Sequence, residues 1–234
     1  AGYDTHYDGK WHLSHADLHD AEGNRVDAND DDGNVLADGV EQYRQADRLD
    51  PYGFSGWIGP EPHGGKFRDA GVRRDPLIAD RVVAWLTDRY ERRAAGDAEA
   101  LRPFLLVASF VNPHDIVLFP AWARRRNPLE PSPLDPPHVP EAPTQHEDLA
   151  TKPAAQIAYR DTYPSGYGPV RAVAGTYSKK AQEYRDLYHR LHAEVDAPLD
   201  RVRRAITDEG SDALIVKTSD HGDLLGAHGG LHQK

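Results

Sequence analysis

The chain of 234 residues contains no cysteine and no methionine. Without cysteine it forms no disulfide bond and offers no thiolate to a metal ion, so its cysteine content indicates no compartment. It also lacks a run of 18 apolar residues and a recognisable signal peptide, which predicts no membrane span and leaves the localisation open. Because methionine is absent, we expect the chain to be part of a longer protein.

Basic residues are fewer than acidic ones, 28 against 38, and the formal net charge is −10. Phosphate contacts need clustered lysine and arginine, so this balance argues against a nucleic-acid partner. The short basic clusters at Arg124–Arg126 and Arg201–Arg204 are interpreted as solvated faces. Nothing in the composition indicates the oligomeric state.

The segment Ala213–Lys217 is short and β-branched, and it predicts a buried strand that runs into a polar, glycine-rich turn. Ligands of open α/β sheets lie beyond the carboxyl ends of the strands, where Asp220 and His221 follow. A carboxylate beside an imidazole suits a divalent cation such as calcium, magnesium, manganese or zinc. The alternative is that Asp220 caps the turn and His221 is a solvated loop residue.

Lys10 and His12 form a second candidate pair, after a strand predicted at Tyr3–Tyr7. Side chains two residues apart share one face of an extended chain, so a cation and an imidazole could meet one oxyanion here. The alternative is a surface lysine and a half-buried histidine beside a core Trp11.

Three segments of the chain carry a family resemblance. The string Thr-Ser-Asp-His-Gly-Asp-Leu-Leu-Gly-Ala-His-Gly at 218–229, followed by Lys234, resembles the late metal-binding motif of the sulfatases in the alkaline-phosphatase superfamily. Gly2–Thr5 and Gly9–Leu13 resemble the sulfatase signature that brings a lysine and a histidine to the sulfate. Pro103–His114 resembles the family strand that ends in a substrate-binding histidine. The resemblance spans nearly the whole chain.

The resemblance implies an incomplete α/β fold with a mostly parallel central sheet flanked by helices, in which residues 1–234 are part of one catalytic domain. It implies that Asp220 and His221 bind a divalent metal, with calcium ahead of magnesium, manganese or zinc. The sulfate-facing residues it implies are Lys10, His12, His114 and Lys234, of which His12 and His114 are catalytic. Lys234 stands one residue further along than in the commonest spacing. Asp223 matches no ligand position, and we expect it to tolerate substitution.

The nucleophile of the family is a formylglycine made from the first residue of a Cys/Ser-x-Pro-x-Arg motif, and early aspartates complete its metal site. The chain contains neither element. The resemblance therefore implies a sulfuric ester hydrolase whose nucleophile comes from a preceding segment, and a chain that is inactive by itself. Its substrate would be a small-molecule or glycan sulfate ester.

Two other functions fit the same residues. A phosphonate or phosphate ester hydrolase of the superfamily would use an Asp-His metal pair and an anion-binding lysine in the same way, although Lys10-Trp11-His12 favours sulfate. A non-catalytic anion-binding homologue is the other alternative. The motif upstream of residue 1 would separate an enzyme from a binder. In each case we expect Lys10, His12, His114, Asp220 and His221 to converge on one cleft.

Two segments predict the core of the sheet. Asp75-Pro76 opens an amphipathic helix that should end near Gly96, with Asp75 at the N-cap and Pro76 at the first helical position. Its apolar face comprises Ile78, Val82, Leu86 and Tyr90. Phe104–Val111 is a nearly continuous apolar run, as expected of a parallel strand covered on both faces.

The remaining segments predict loops and one long helix. Residues 15–45 are polar and acidic, which predicts a surface loop rather than a calcium loop. Residues 52–60 predict a short strand and a turn, with Trp57 and His63 either lining a pocket or only packing. Residues 113–170 contain 12 of the 18 prolines, which predicts an excursion without regular helix. Tyr177–Asp208 predicts a helix that kinks or breaks near Asp196 because of Pro198.

Overall fold

The computed structural model of the chain describes residues 2–62, 66–123, 138–163 and 170–233. These residues form two compact units, each described here by itself. The first unit comprises residues 1–112 and 194–215, and the second comprises residues 113–193 and 216–234. His63 and Lys234, two residues singled out in the sequence, lie outside the described residues.

The first unit contains a two-stranded parallel sheet. Strand β1 (Asp4–Gly9) pairs with strand β2 (Phe104–Ser109), with Asp4 opposite Phe104 and Gly9 opposite Ser109. The sequence predicted the first strand from a short, turn-bounded β-prone segment and the second from an apolar run. Because the strands are parallel, their carboxyl ends lie at the same edge of the sheet, where Lys10 follows β1. Together with the helices, the described residues form a mixed α/β structure.

Helix α2 (Gly71–Ala94) packs its apolar face into the core of the first unit. The predicted face is confirmed, since Ile78, Val82 and Leu86 are fully buried. The predicted start is wrong, because the helix begins at Gly71 with Ala70 at its N-cap. Asp75 is therefore not the N-cap, and its carboxylate accepts backbone hydrogen bonds from the chain that follows β2.

Helix α1 (Ala37–Ala46) lies inside the segment predicted to be a surface loop, so that prediction is wrong for these residues. The few apolar residues of the segment are enough to form a core. Tyr43 is fully buried, packs edge-on against Trp57 at 5.5 Å, and donates a hydrogen bond to the carbonyl of Val26 at 3.1 Å. The polar composition did not predict this helix, because only one of its faces is buried and the remaining faces are polar.

Two five-residue turns before α1 repeat the pattern Asp-x-x-Gly-Asn, at Asp20–Asn24 and Asp30–Asn34. The Asp20 carboxylate accepts the backbone N–H of Asn24 at 2.8 Å and its side-chain amide at 3.0 Å. Asp30 makes the same two bonds with Asn34, at 2.8 and 2.9 Å. The carboxylates are thus used inside their own turns, as expected of solvated loops.

Trp57 belongs to the core, which decides between the two roles left open for it. It is 1% exposed, and its indole N–H donates to the carbonyl of Gly9 at 2.8 Å. The strand predicted at 52–60 is reduced to a single parallel bridge between Ser55 and His6. A buried indole needs an acceptor, and the end of β1 provides one.

The second unit is mainly helical in its described residues. After a 3₁₀ helix at His114–Leu118 come α3 (Phe119–Trp122), α4 (Ala154–Thr162) and α5 (Val170–Lys179). Helix α4 contradicts the prediction that 113–170 contains no regular helix. It lies between Pro153 and Pro164, in a stretch of ten residues that has no proline.

Helix α6 (Ala181–Thr207) continues through Pro198, so the predicted break near Asp196 is wrong. The interruption lies earlier, at Lys180, between α5 and α6. Apolar residues of α6 are buried before and after the proline, among them Leu191 and Val202, and such burial outweighs the loss of one backbone hydrogen bond. None of the helices in the described ranges combines the length and the hydropathy needed to cross a bilayer.

The strand predicted at Ala213–Lys217 is absent from the structure, which leaves these residues without regular structure. Leu214 is 90% exposed and Val216 is 74% exposed, so the segment is not buried either. An apolar run becomes a strand only where another strand accepts its backbone hydrogen bonds, and in the described part of the chain only β1 and β2 form such a sheet.

Candidate functional site

The candidate anion-binding turn, which we define as residues 10–12, begins at the carboxyl edge of the sheet. The Lys10 N–H donates to the carbonyl of Ser109 at 2.8 Å, which continues the pairing of β1 and β2 by one residue. The carbonyl of Lys10 accepts the hydroxyl of Tyr7 at 2.6 Å. Both peptide groups that flank Lys10 are therefore bonded to residues of the sheet.

The backbone leaves the extended conformation at His12, whose φ is 50°. Lys10 and His12 therefore do not share one face of an extended chain, contrary to the prediction from sequence, because the backbone turns at His12. The half-buried Glu61 holds this turn: one of its oxygens, Oε2, accepts the N–H of Trp11 at 3.1 Å and that of His12 at 2.9 Å. Burial raises the pKa of Glu61, and the two hydrogen bonds oppose that rise.

An ion pair at the end of β1 was not predicted. Asp8 is 1% exposed, and Arg81 of α2 binds it bidentately, with Nε to Oδ2 at 2.7 Å and Nη2 to Oδ1 at 2.6 Å. The buried charge lies two residues before Lys10 and is compensated by the arginine. Asp8 and Arg81 are 73 residues apart in the chain, and no local pattern connects them.

His114 is the first residue of the 3₁₀ helix at His114–Leu118, and it is half-buried. It follows β2 by five residues, as the sequence predicted for a histidine beyond the end of that strand. Lys10 and His12 belong to the first unit, whereas His114, Asp220 and His221 belong to the second. The convergence of these five residues on one cleft stays a prediction.

Asp220 and His221, the predicted metal ligands, lie side by side in an exposed loop. Asp220 Oδ1 accepts the backbone N–H of His221 at 3.0 Å, and Asp220 Oδ2 lies 3.5 Å from His221 Nε2. His221 Nδ1 lies 2.9 Å from the carbonyl of Gly222. A carbonyl only accepts, so this contact favours a proton on Nδ1 and leaves Nε2 as the ring nitrogen available to a metal ion.

This arrangement fits a divalent metal in two respects. The histidine tautomer is the one that metal-bound imidazoles adopt when Nδ1 donates to a backbone carbonyl. The oxygen and nitrogen atoms that would bind the ion also face each other across 3.5 Å. Among the residues that the structure describes, no group of three or more histidine, aspartate or glutamate side chains is arranged to hold a metal. Asp220 and His221 offer two candidate donors, and their binding of a metal stays a prediction.

Asp223 is bonded more extensively than the sequence suggested. The hydroxyl of Tyr184, in α6, donates to Asp223 Oδ2 at 2.5 Å, and the Leu225 N–H donates to Oδ1 at 2.8 Å. Tyr184 is fully buried, and burial together with the charge of Asp223 raises its pKa, so the phenol stays a donor. The loop that carries Asp220 and His221 is thereby attached to a buried helix residue, a link that sequence spacing could not reveal.

The end of the motif, at Leu231 and Gln233, is hydrogen-bonded to its middle, at Leu224 and Gly226. The Leu224 N–H donates to the carbonyl of Gln233 at 2.8 Å, and the Gly226 N–H donates to that of Leu231 at 2.6 Å. The side-chain amide of Gln233 donates to the hydroxyl of Tyr177 at 2.5 Å. Gln233, the residue before Lys234, is therefore bonded to Leu224, which lies three residues after His221.

His228, another residue of the motif, attaches the loop to the segment at 144–147. Its Nδ1 lies 2.7 Å from Glu147 Oε1, and its backbone N–H donates to the Thr144 hydroxyl at 3.2 Å. His232 lies inside the second unit, stacked on Tyr177 at 4.6 Å, and burial lowers its pKa. These two histidines hold the loop, and neither was singled out in the sequence.

Comparison with known proteins decides the family. The sulfatase family model matches residues 1–234. The chain belongs to the sulfatase family. A similar protein, described as the uncharacterized sulfatase YidJ of Escherichia coli (strain K12), is 26% identical over 230 residues. The alignment covers 97% of this chain and 41% of that relative, so the chain spans about two-fifths of the relative's length. No solved structure matches the chain significantly.

Membership of the sulfatase family confirms the resemblance read from the three sequence segments. The family implies an alkaline-phosphatase-like α/β fold, and the parallel pairing of β1 with β2 beside α2 is compatible with it. The mostly parallel central sheet of the prediction is represented by this one pair of strands in the described residues.

Proposed function

We propose that the chain is part of a sulfuric ester hydrolase and supplies the anion-binding and metal-binding residues of its active site. The family match over residues 1–234 carries this proposal, and the geometry of the anion-binding turn and of the Asp220–His221 pair supports it. The substrate class is a small-molecule or glycan sulfate ester. Residues 1–234 would then be part of one catalytic domain with a larger parallel sheet than β1 and β2 alone.

The anion-binding residues act by charge and by proton position. Lys10 and Lys234 would place positive charge at the sulfate oxygens, where negative charge grows in the transition state. His12 and His114 would donate hydrogen bonds to the sulfate group and carry protons to or from it. The left-handed backbone at His12 lies two residues beyond Lys10, so both residues follow the carboxyl end of β1 within one turn.

Asp220 and His221 would hold the metal ion through Oδ2 and Nε2. A carboxylate with an exposed oxygen suits calcium first, whereas the imidazole nitrogen also admits magnesium, manganese or zinc. When bound, the metal supplies positive charge and orients the nucleophile. The two early aspartates typical of the family would supply further ligands from a segment outside this chain.

The nucleophile of the proposed reaction is the family's formylglycine. The chain contains no cysteine and no Ser-x-Pro-x-Arg sequence from which this residue could be made. We therefore assign the nucleophile to a segment that precedes residue 1 in a longer protein, and we expect the 234-residue chain alone to be inactive.

Two measurements test the proposal. The chain alone should bind inorganic sulfate, as followed by calorimetry, and should release no 4-nitrophenol from 4-nitrophenyl sulfate above background. A longer protein that carries the nucleophile motif should hydrolyse 4-nitrophenyl sulfate faster than 4-nitrophenyl phosphate. A preference for the phosphate ester would assign the protein to the phosphate or phosphonate ester hydrolases, and a longer protein with sulfate binding but no turnover would be an anion-binding homologue.

A further inference from the structure

We propose that Glu61 is a positioning residue of the anion-binding turn: its carboxylate fixes the backbone that presents Lys10 and His12. The part of this inference that concerns an anion rests on the proposed function, whereas the part that concerns the backbone does not. Glu61 was not a candidate in the sequence, and it lies 49 residues from His12 along the chain.

The carboxylate meets two successive backbone donors. Oε2 of Glu61 accepts the N–H of Trp11 at 3.1 Å and that of His12 at 2.9 Å. Successive N–H groups that point to one side form a concave site for an anion, and here the anion is a side chain of the same protein. His12 has a φ of 50°, a conformation that residues other than glycine adopt rarely. The two charge-assisted hydrogen bonds are what stabilises that conformation.

Glu61 is itself held in place from two directions. Its backbone N–H donates to Asp17 Oδ1 at 2.7 Å. The carbonyl of the preceding Pro60 accepts a hydrogen bond from Arg74 Nη2 at 2.7 Å. Arg74 is buried in α2, and burial lowers its pKa to about 10, so it remains charged at neutral pH. The turn is thus connected through Glu61 to the helix that packs on the sheet.

The second carboxylate oxygen of Glu61 is buried at an energetic cost. Oε1 is buried and accepts no hydrogen bond from any residue that the structure describes. A buried carboxylate oxygen without a donor is costly, and burial accordingly raises the pKa of Glu61. The positive charge of Lys10 opposes that rise. A glutamine could accept the same two hydrogen bonds through its amide oxygen without the charge, which makes Glu61→Gln the informative variant.

The experiment compares Glu61→Ala, Glu61→Gln and a control, Glu41→Ala, in the 234-residue chain. Glu41 is exposed on α1, where its carboxylate accepts hydrogen bonds from Arg44 and Gln45 of the same helix. Hydrogen exchange of the Trp11 and His12 amides is measured without ligand, and the Kd for inorganic sulfate is measured by calorimetry. Loss of the carboxylate in Glu61→Ala should speed both exchange rates and weaken sulfate binding by about tenfold, the effect of one charge-assisted hydrogen bond. Glu61→Gln keeps both acceptor bonds without the charge and should recover most of both effects, and Glu41→Ala should change neither.

The outcomes separate the two parts of the inference. Unchanged amide exchange in Glu61→Ala would overturn the positioning role. Glu61→Gln that restores amide protection without restoring sulfate affinity would overturn the link between the turn and anion binding. If the wild-type chain binds no sulfate while Glu61→Ala still exposes both amides, the proposed function fails and the positioning of the backbone by Glu61 stands.

Discussion

The carboxylate of Asp75, in the second turn of α2, accepts the backbone N–H of Val111 at 2.7 Å. It also accepts the N–H of Asn112 at 3.1 Å, and it is 2% exposed. These bonds satisfy two donors immediately beyond β2, where the sheet no longer provides an acceptor. A helix residue thus fixes the chain two residues before His114.

Asp75→Ala should lower the free energy of unfolding of the first unit by about 2–5 kcal/mol, because it removes a buried charged acceptor and leaves two backbone donors without it. Urea unfolding measures this loss. Asp80→Ala, on the same helix and more than half exposed, removes only a surface ion pair with Arg201 and should cost less than about 1 kcal/mol. Similar losses for both variants would show that the Asp75 bonds contribute no special stability.

Tyr184→Phe should destabilise the second unit by about 1–3 kcal/mol, since it removes a buried donor and leaves Asp223 Oδ2 without it. If Asp220 and His221 bind calcium, the same variant should also weaken calcium binding by about 10- to 100-fold, as expected when a residue that orients a ligand loop is lost. Thermal unfolding and calorimetric calcium titration measure the two effects. Tyr188→Phe, which keeps the ring contact of Tyr188 with His192 on the same helix, is the matched control.

If Asp220 is a direct ligand, as proposed, Asp220→Ala should reduce the calcium affinity of the chain by more than about 100-fold, more than the loss of a residue that only positions a ligand. Asp223→Ala should fall between Asp220→Ala and wild type, which revises the expectation from sequence that position 223 tolerates change. Glu209→Gln, an exposed position, should have no effect. Full calcium affinity in Asp220→Ala would mean that Asp220 only caps its turn.

Stability should fall as the pH drops below the ordinary histidine pKa of 6.5, in part because of His6. Burial lowers the pKa of His6, which stacks on Trp85 at 4.8 Å, against the opposing charges of Asp8 and Asp4. Between the lowered folded value and 6.5 the unfolded chain binds more protons, so the contribution is present above 6.5 and is lost as the pH falls through this window.

Urea unfolding at several pH values checks this sign. His6→Gln, which removes the titrating ring, should give a shallower decline than wild type over the same window. His232, whose pKa burial also lowers, acts in the same direction and remains in the variant, so the decline should flatten without disappearing. The raised pKa of Glu61 acts in the opposite direction at lower pH, upward from 4.5. An identical slope in both proteins would exclude His6 as a contributor.

Short-range sequence patterns correctly predicted both strands and the buried face of α2. The strands at Asp4–Gly9 and Phe104–Ser109 and the buried face of α2 follow from runs and spacings within one element. Ala213–Lys217 has a similar composition but lacks a partner strand among the described residues, and composition alone does not supply one. The predictions for Pro198 and Asp75 were wrong for a related reason. Packing of the helix outweighed the helix-breaking tendency of Pro198, and hydrogen bonds to distant backbone outweighed the N-capping tendency of Asp75.

The candidate site was likewise predictable from the sequence only in part. Lys10, His12, Asp220 and His221 were identified through their motifs, and in the structure the side chains of the last two lie 3.5 Å apart. The contacts that hold these residues join positions far apart in the chain. Glu61 bonds His12 across 49 residues and Tyr184 bonds Asp223 across 39, distances over which no periodicity operates.

The turns at Asp20–Asn24 and Asp30–Asn34 share one hydrogen-bond pattern. Each closes with the same bonds from its aspartate to its asparagine, and in each the glycine N–H donates to the aspartate carbonyl at 3.1 Å. In both turns the third residue also donates its backbone N–H to the aspartate carboxylate, but the side chains at the second and third positions take no part in these bonds. Ala21-Glu22 and Asp31-Asp32 thus carry different charges on one backbone frame, and the surface charge there can be changed by substitution without removing a bond that closes either turn.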